Sequence, residues 1–139
     1  MSRVLGIDYG LARIGLAISD PERIIAQPWR TIPCSKSDRL MEEFASIVAD
    51  MEIDTVVIGH PIHLSGDESE MSRAVDRFAE RFREKFPTLR IVLRDERLSS
   101  VEASAAIRDM GGSPSRDKAR IDAVAAALIL QAFLESRIG

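Results

Sequence analysis

Apolar and polar positions change period several times along the chain, and each change marks an element. Val4-Leu5-Gly6-Ile7 is a continuous apolar run, so residues 3–9 read as a buried strand closed by the turn Asp8-Tyr9-Gly10. Ile14 to Ile18 repeats the pattern, and residues 13–19 make the next strand. A third strand covers about 23–32, where Pro28 confines it to a sheet edge or makes it irregular. The spacing then turns helical. Leu40, Phe44, Ile47, Val48 and Met51 share one face of a helix over about 36–51, with Ser35 or Ser37 as its cap. Thr55-Val56-Val57-Ile58 is a short buried strand ended by Gly59. Asp67 and Glu70 have the spacing of a capping pair for a helix over about 68–86. Its apolar stripe is Met71, Val75, Phe78, Phe82 and Phe86, and Pro87 stops it. Leu89 to Leu93 is the fifth strand. Ser99 and Glu102 open a helix to about Met110, which Gly111-Gly112 ends, and a last helix covers about 117–136.

The first three strands lie close enough in sequence to form an antiparallel meander. The later two are separated by helices and join in parallel through right-handed crossovers. The fold class is therefore α/β, a five-stranded mixed sheet with helices on both faces. The 139 residues show no repeat or linker, which predicts a single domain over 1–139. In such sheets ligands bind beyond the carboxyl ends of strands, near the switch in strand order. Asp8, Glu96 and the Gly59-His60-Pro61 corner all stand at such ends.

Composition narrows the setting. A single cysteine, Cys34, excludes an intramolecular disulfide and suits a reducing compartment. No apolar run reaches the roughly 18 residues of a membrane span, and Asp8 falls where a secretory signal would be apolar. The expectation is a cytoplasmic protein with no membrane partner. The net charge of −3 argues against tight, non-specific coating of DNA, but a local basic rim can still guide phosphate.

A carboxylate at the tip of a buried strand is costly unless it is paired, hydrogen-bonded or bound to metal. Asp8 closes the first strand, Glu96 follows Ile91-Val92-Leu93, and Asp122 interrupts the first turn of an apolar helix. Together they suggest a site for a divalent metal. Taken singly, each also has a structural role open to it. Asp8 can cap the Tyr9-Gly10 turn, Glu96 can pair with Arg94 or Arg97, and Asp122 can face the helix dipole. Asp95 falls on the other face of its strand by alternation, and Asp20 forms a turn before Pro21. Among the cations, Arg13 and Arg97 adjoin the acids and Lys118 lies one helical turn before Asp122, so all three are candidates for holding phosphate. A solvated salt bridge is the alternative for the two arginines. His60 is a candidate substrate contact at its corner, and His63 reads as an ordinary loop residue. Arg73, Arg77 and Arg81 form a stripe interleaved with Glu70, Glu80 and Glu84, which predicts a salt-bridged solvent face. Tyr9 could stack on a base, but packing is its expected role.

These segments resemble the YqgF/RuvX family. The similarity runs through Asp8-Tyr9-Gly10 to Arg13-Ile14-Gly15-Leu16-Ala17 and Ser19-Asp20, then Gly59-His60-Pro61, then Asp95-Glu96-Arg97-Leu98-Ser99-Ser100, then Lys118 through Asp122-Ala123 to Ile129-Leu130-Gln131. The family is known as Holliday junction resolvase or pre-16S rRNA nuclease and has an RNase H-like fold. His60, the loop from His63 to Ser69, and Ser100 depart from the commoner family pattern, and none of these touches the three acids. The resemblance implies Mg²⁺ or Mn²⁺ as cofactor, with two ions about 4 Å apart. It makes Asp8 the bridging ligand, with Glu96 and Asp122 each completing one side. It implies a metal-dependent endonuclease on structured nucleic acid, first in trimming a ribosomal RNA precursor with ribosomal particles as partner, second in cutting branched DNA. Junction resolution needs two symmetric cuts and hence a stable dimer. No exposed apolar stripe advertises one, so a monomer or weak homodimer is expected. A non-catalytic nucleic-acid or transcription-associated module is the rival from another class. An actin-like ATPase needs two lobes, and this length provides one.

Overall fold

The structure, a computed structural model, describes residues 2–61, 69–95 and 118–136. Strands β1 (Arg3–Tyr9), β2 (Arg13–Ser19) and β3 (Ala26–Pro33) precede α1 (Asp38–Asp50), β4 (Ile53–His60), α2 (Glu70–Lys85), β5 (Arg90–Asp95) and α3 (Lys118–Ser136). The five strands form one sheet in the order β3-β2-β1-β4-β5. Pairing is antiparallel across β1–β2 and β2–β3 and parallel across β1–β4 and β4–β5, as the pattern predicts. The helix expected over 99–110 lies outside the described residues.

The runs in β1, β2 and β4 are continuously apolar because both sheet faces are covered. On one face Leu5, Ile7, Ile14, Leu16 and Ile58 pack with Phe44 of α1 and Phe78 and Phe82 of α2. The phenylalanine rings interlock, with Phe44 edge-on to Phe82 at a centroid distance of 5.1 Å and Phe82 beside Phe86 at 4.8 Å. On the other face Val4, Ala17 and Val57 meet Ala126, Ile129, Leu130 and Leu134 of α3. Alanines on both sides and glycines on the sheet let α3 lie very close to it.

Several boundaries differ from the sequence expectation, each for a local reason. β3 starts at Ala26 rather than near 23, because Asp20 bends the preceding segment into a turn. Its Oδ1 accepts the N–H groups of Ile24 at 2.7 Å and Ile25 at 2.8 Å. The Ile25 N–H is the main reason this carboxyl is held below its usual value. Asp20 is thus turn-forming, as read. β3 is the edge strand, and its pairing with β2 slips between Leu16 and Ala17, where Pro28 and Arg30 are the partners and Trp29 is passed over. Proline has no N–H to give a ladder, so the edge and the slip accommodate it. Ser37 precedes α1 without a side-chain cap. Its own N–H is instead accepted by Ser35 Oγ at 3.1 Å. The cap of α2 is not the Asp67–Glu70 pair. Ser69 and Ser72 exchange backbone-to-hydroxyl bonds of 2.9 and 2.8 Å, and Glu70 is the first helical residue. Serine at both positions satisfies two otherwise orphaned N–H groups reciprocally.

Candidate active site

Alternation along β1 sends Leu5, Ile7 and Tyr9 toward α1 and α2, and Val4, Gly6 and Asp8 toward α3. Asp8, half-buried, is therefore the last residue of β1 on the α3 face. Its register partner on β2 is Gly15. A Cβ built on Gly15 would lie 2.0 Å from the carbonyl oxygen of Asp122, where no side chain fits. Gly15 thus lets the first turns of α3 rest directly on the sheet. Gly6 does the same further along, with Leu130 Cβ at 2.8 Å and the Ala126 carbonyl at 3.0 Å from its ideal Cβ position. Asp8 and Asp122, 114 positions apart in the chain, are brought to the same sheet face across a single glycine.

Arg13 belongs to the same face, two residues before Gly15. Its Nε donates to Asp122 Oδ2 at 2.7 Å, with Arg13 44% and Asp122 21% exposed. A cation already balances one carboxylate of this cluster. The expected phosphate ligand is, in this structure, a counter-ion of the site. Lys118 opens α3, one turn before Asp122. Glu96 and Arg97 lie outside the described residues, as does His63. Among the described residues no three acids, histidines or cysteines gather closely enough to hold a metal. The two acids that do share the face offer only oxygen donors, which fits hard cations such as Mg²⁺ and not a soft-ligand metal.

His60 is set apart from this cluster. It continues the Ile58 side of β4, and its Nε2 is 3.0 Å from Asp76 Oδ1 of α2. That is the face opposite Asp8. Tyr9, on the same face as His60, packs on Phe78 at a ring distance of 4.6 Å and tilts 32° from it. Packing is its role, as expected. The Cys34 thiol donates to its hydroxyl at 3.4 Å. Burial, aided by that cysteine, pushes the Tyr9 hydroxyl up to about 12. Asp95 closes β5 in register with His60. Sequence reasoning passed over Gly15. The available signal was a glycine inside a buried strand, which marks a close backbone approach without naming the partner. Among the described residues, no helix is long and apolar enough to cross a membrane.

A family model described as RuvX, Holliday junction resolvase, matches residues 2–136. A protein of Chloroflexus aggregans provisionally named pre-16S rRNA nuclease is 38% identical over 96% of this chain and 94% of its own. A relative from Chlorobaculum tepidum with the same provisional name is 39% identical over the same shares. Among solved structures, T. thermophilus RuvC in complex with a Holliday junction substrate superposes with a TM-score of 0.63 at 16% identity, covering 100% of this chain and 97% of that one. The fowlpox virus resolvase with junction DNA gives 0.62 at 10% identity, covering 99% of each chain. At such identities the structural likeness speaks for the fold, and that fold is RNase H-like. The match along nearly the whole sequence decides the rest: the chain belongs to the RuvX family.

Proposed function

We propose that this chain is a divalent-metal-dependent endonuclease that hydrolyses phosphodiester bonds in structured nucleic acid, with precursor 16S rRNA as its first substrate and branched DNA as its second. The observation that supports the reading is the convergence of Asp8 and Asp122 across Gly15. The names carried by its relatives favour the RNA, and the family description favours the junction.

In this reading Asp8, Asp122 and Glu96 hold the cations. Divalent ions held there would supply acidification of an attacking water and a positive charge opposite the leaving oxygen. Asp8 faces the substrate from the sheet and Asp122 from the helix, while the close seating of α3 keeps the two carboxylates at a fixed spacing. Arg97 and Lys118 would meet phosphate. Arg13, which bonds Asp122 Oδ2, would compete with a metal for that carboxylate, and its guanidinium fork could hold two oxygens of a substrate phosphate.

Cleavage of a precursor 16S RNA and of a four-way DNA junction, run side by side with Mg²⁺, with Mn²⁺ and with EDTA, tests the proposal. Metal-dependent scission of the RNA, with slower or no scission of the junction, is expected. No scission of either nucleic acid in any metal leaves the non-catalytic module in its place. The Arg13 part has its own check. Arg13→Gln removes a competitor for Asp122 Oδ2. A partly exposed pair of this kind contributes at most about 1 kcal/mol, so Mn²⁺ binding by calorimetry should tighten by roughly fivefold. Weaker Mn²⁺ binding in the variant would make Arg13 a support of the metal site and not its rival.

A further inference from the structure

The face of β1 opposite Asp8 carries a second feature. Tyr9, Leu11, Lys36, Glu70, Arg77 and Arg81 border a cleft of about 380 Å³ at the carboxyl end of β1. Three cations meet one acid there, in a chain whose net charge is −3. The salt-bridged face expected on α2 is absent at this point. Among the described residues, Glu80 pairs with Arg83, and no carboxylate pairs with Arg77, Arg81 or Lys36. Arg81 is held by the carbonyl oxygens of Lys36 and Ser37, at 3.4 and 3.3 Å, which draws the start of α1 against α2. Arg77 and Lys36 are exposed, with their charge directed to solvent. Leu11 adds an apolar surface that is 59% exposed, unusual beside so many charges.

We propose that this cleft takes the stretch of the substrate strand that flanks the scissile phosphate, its phosphates on Lys36 and Arg77 and a sugar or base edge on Leu11. The inference rests on the nuclease reading above. Position argues for nucleic acid over an acidic protein. The cleft begins at Tyr9, whose Cα is about 3.8 Å from that of Asp8. A strand engaged at Asp8 reaches it by crossing the turn between β1 and β2. That turn is low. An added Cβ at Gly10 would lie 2.5 Å from the Arg13 carbonyl oxygen, so the chain there folds tightly on itself. Phosphate contacts of this type give affinity without reading sequence, which suits an enzyme that recognises structure.

Fluorescence anisotropy with a labelled single-stranded RNA and a labelled four-way junction, in EDTA so that nothing is cut, tests the cleft. Wild type, Arg77→Ala, Arg77→Glu, Arg77→Lys and Lys36→Ala are compared across a salt series. Both residues are exposed, so unchanged melting curves are expected and are measured alongside. Arg77→Ala should weaken RNA binding by about three- to tenfold, with Arg77→Glu weaker still and Arg77→Lys near wild type. The slope of log affinity against log salt should shrink by about 0.7 for each lost phosphate contact on single-stranded RNA. Wild-type affinity and slope in Arg77→Glu and Lys36→Ala would overturn the cleft while leaving the nuclease reading intact. Failure of wild type to bind either probe would likewise overturn the cleft, and the cleavage assay above decides the nuclease reading separately.

Discussion

Replacing Gly15 with alanine should cost about 3 kcal/mol of stability, roughly 10 °C in Tm, and remove cleavage together with metal binding. The methyl group has no room. Its carbon would lie 2.0 Å from the Asp122 carbonyl oxygen, 2.3 Å from the carbonyl carbon and 2.9 Å from the Ala123 nitrogen. All three are backbone atoms, so no side chain can rotate away, and α3 itself must lift from the sheet. Lifting it opens the layer where Ala126, Leu130 and Leu134 pack on Val4, Ala17 and Val57. It also moves Asp122 away from Asp8. Stability and metal affinity therefore fall together. Thermal unfolding and a Mn²⁺ titration of the same preparation check both halves. A variant within a degree or two of wild type, with normal metal binding, would mean that α3 does not rest on Gly15.

The frame of this molecule was legible because its strands are covered on both faces. Val4 to Ile7, Ile14 to Ile18 and Val56 to Ile58 are apolar without alternation, and each became a central strand. Edges and ends were less legible. The start of β3 depends on Asp20 capturing two N–H groups, a local bond that competes with extending the strand. The ion pairs expected of Arg73, Arg77 and Arg81 do not form among the described residues, although Glu70, Glu80 and Glu84 each stand three residues from one of them. Glu80, three residues from both Arg77 and Arg83, is taken by Arg83. Arg81 is drawn to carbonyls of the α1 entry, which no pattern within α2 can foretell. Asp8 and Asp122 were each visible as acids out of place in apolar surroundings. That they share one face depends on β1–β2 register and on the close seating of α3, both contacts between distant segments. His60 was read from its neighbours Gly59 and Pro61. The strand's alternation puts it on the Ile58 side and not the Asp8 side of the sheet, and it bonds Asp76 there.

Replacing Asp8 with asparagine should lower cleavage by about a thousandfold or more, a barrier increase of about 4 kcal/mol, while the fold survives. The substitution keeps shape and one acceptor oxygen but turns the other into an amide donor and removes the charge that a hard cation needs. Loss of activity alone would not separate a ligand from a residue that supports the fold, so a second measurement is paired with it. A metal that binds only the folded wild type stabilises it by about 2.7 kcal/mol at a concentration one hundred times its dissociation constant. That metal-dependent rise in Tm should vanish in Asp8→Asn, while the Tm without metal stays within a few degrees of wild type. Nucleic-acid binding in EDTA should also persist, because Arg77 and Lys36 lie on the opposite face of β1 and do not depend on the Asp8 charge. If the asparagine protein still cuts RNA at the wild-type rate, Asp8 is a turn-capping residue and the chemistry belongs elsewhere. If it is inactive but keeps the full metal-induced rise in Tm, the cation is held without Asp8, and the pairing across Gly15 is architecture only.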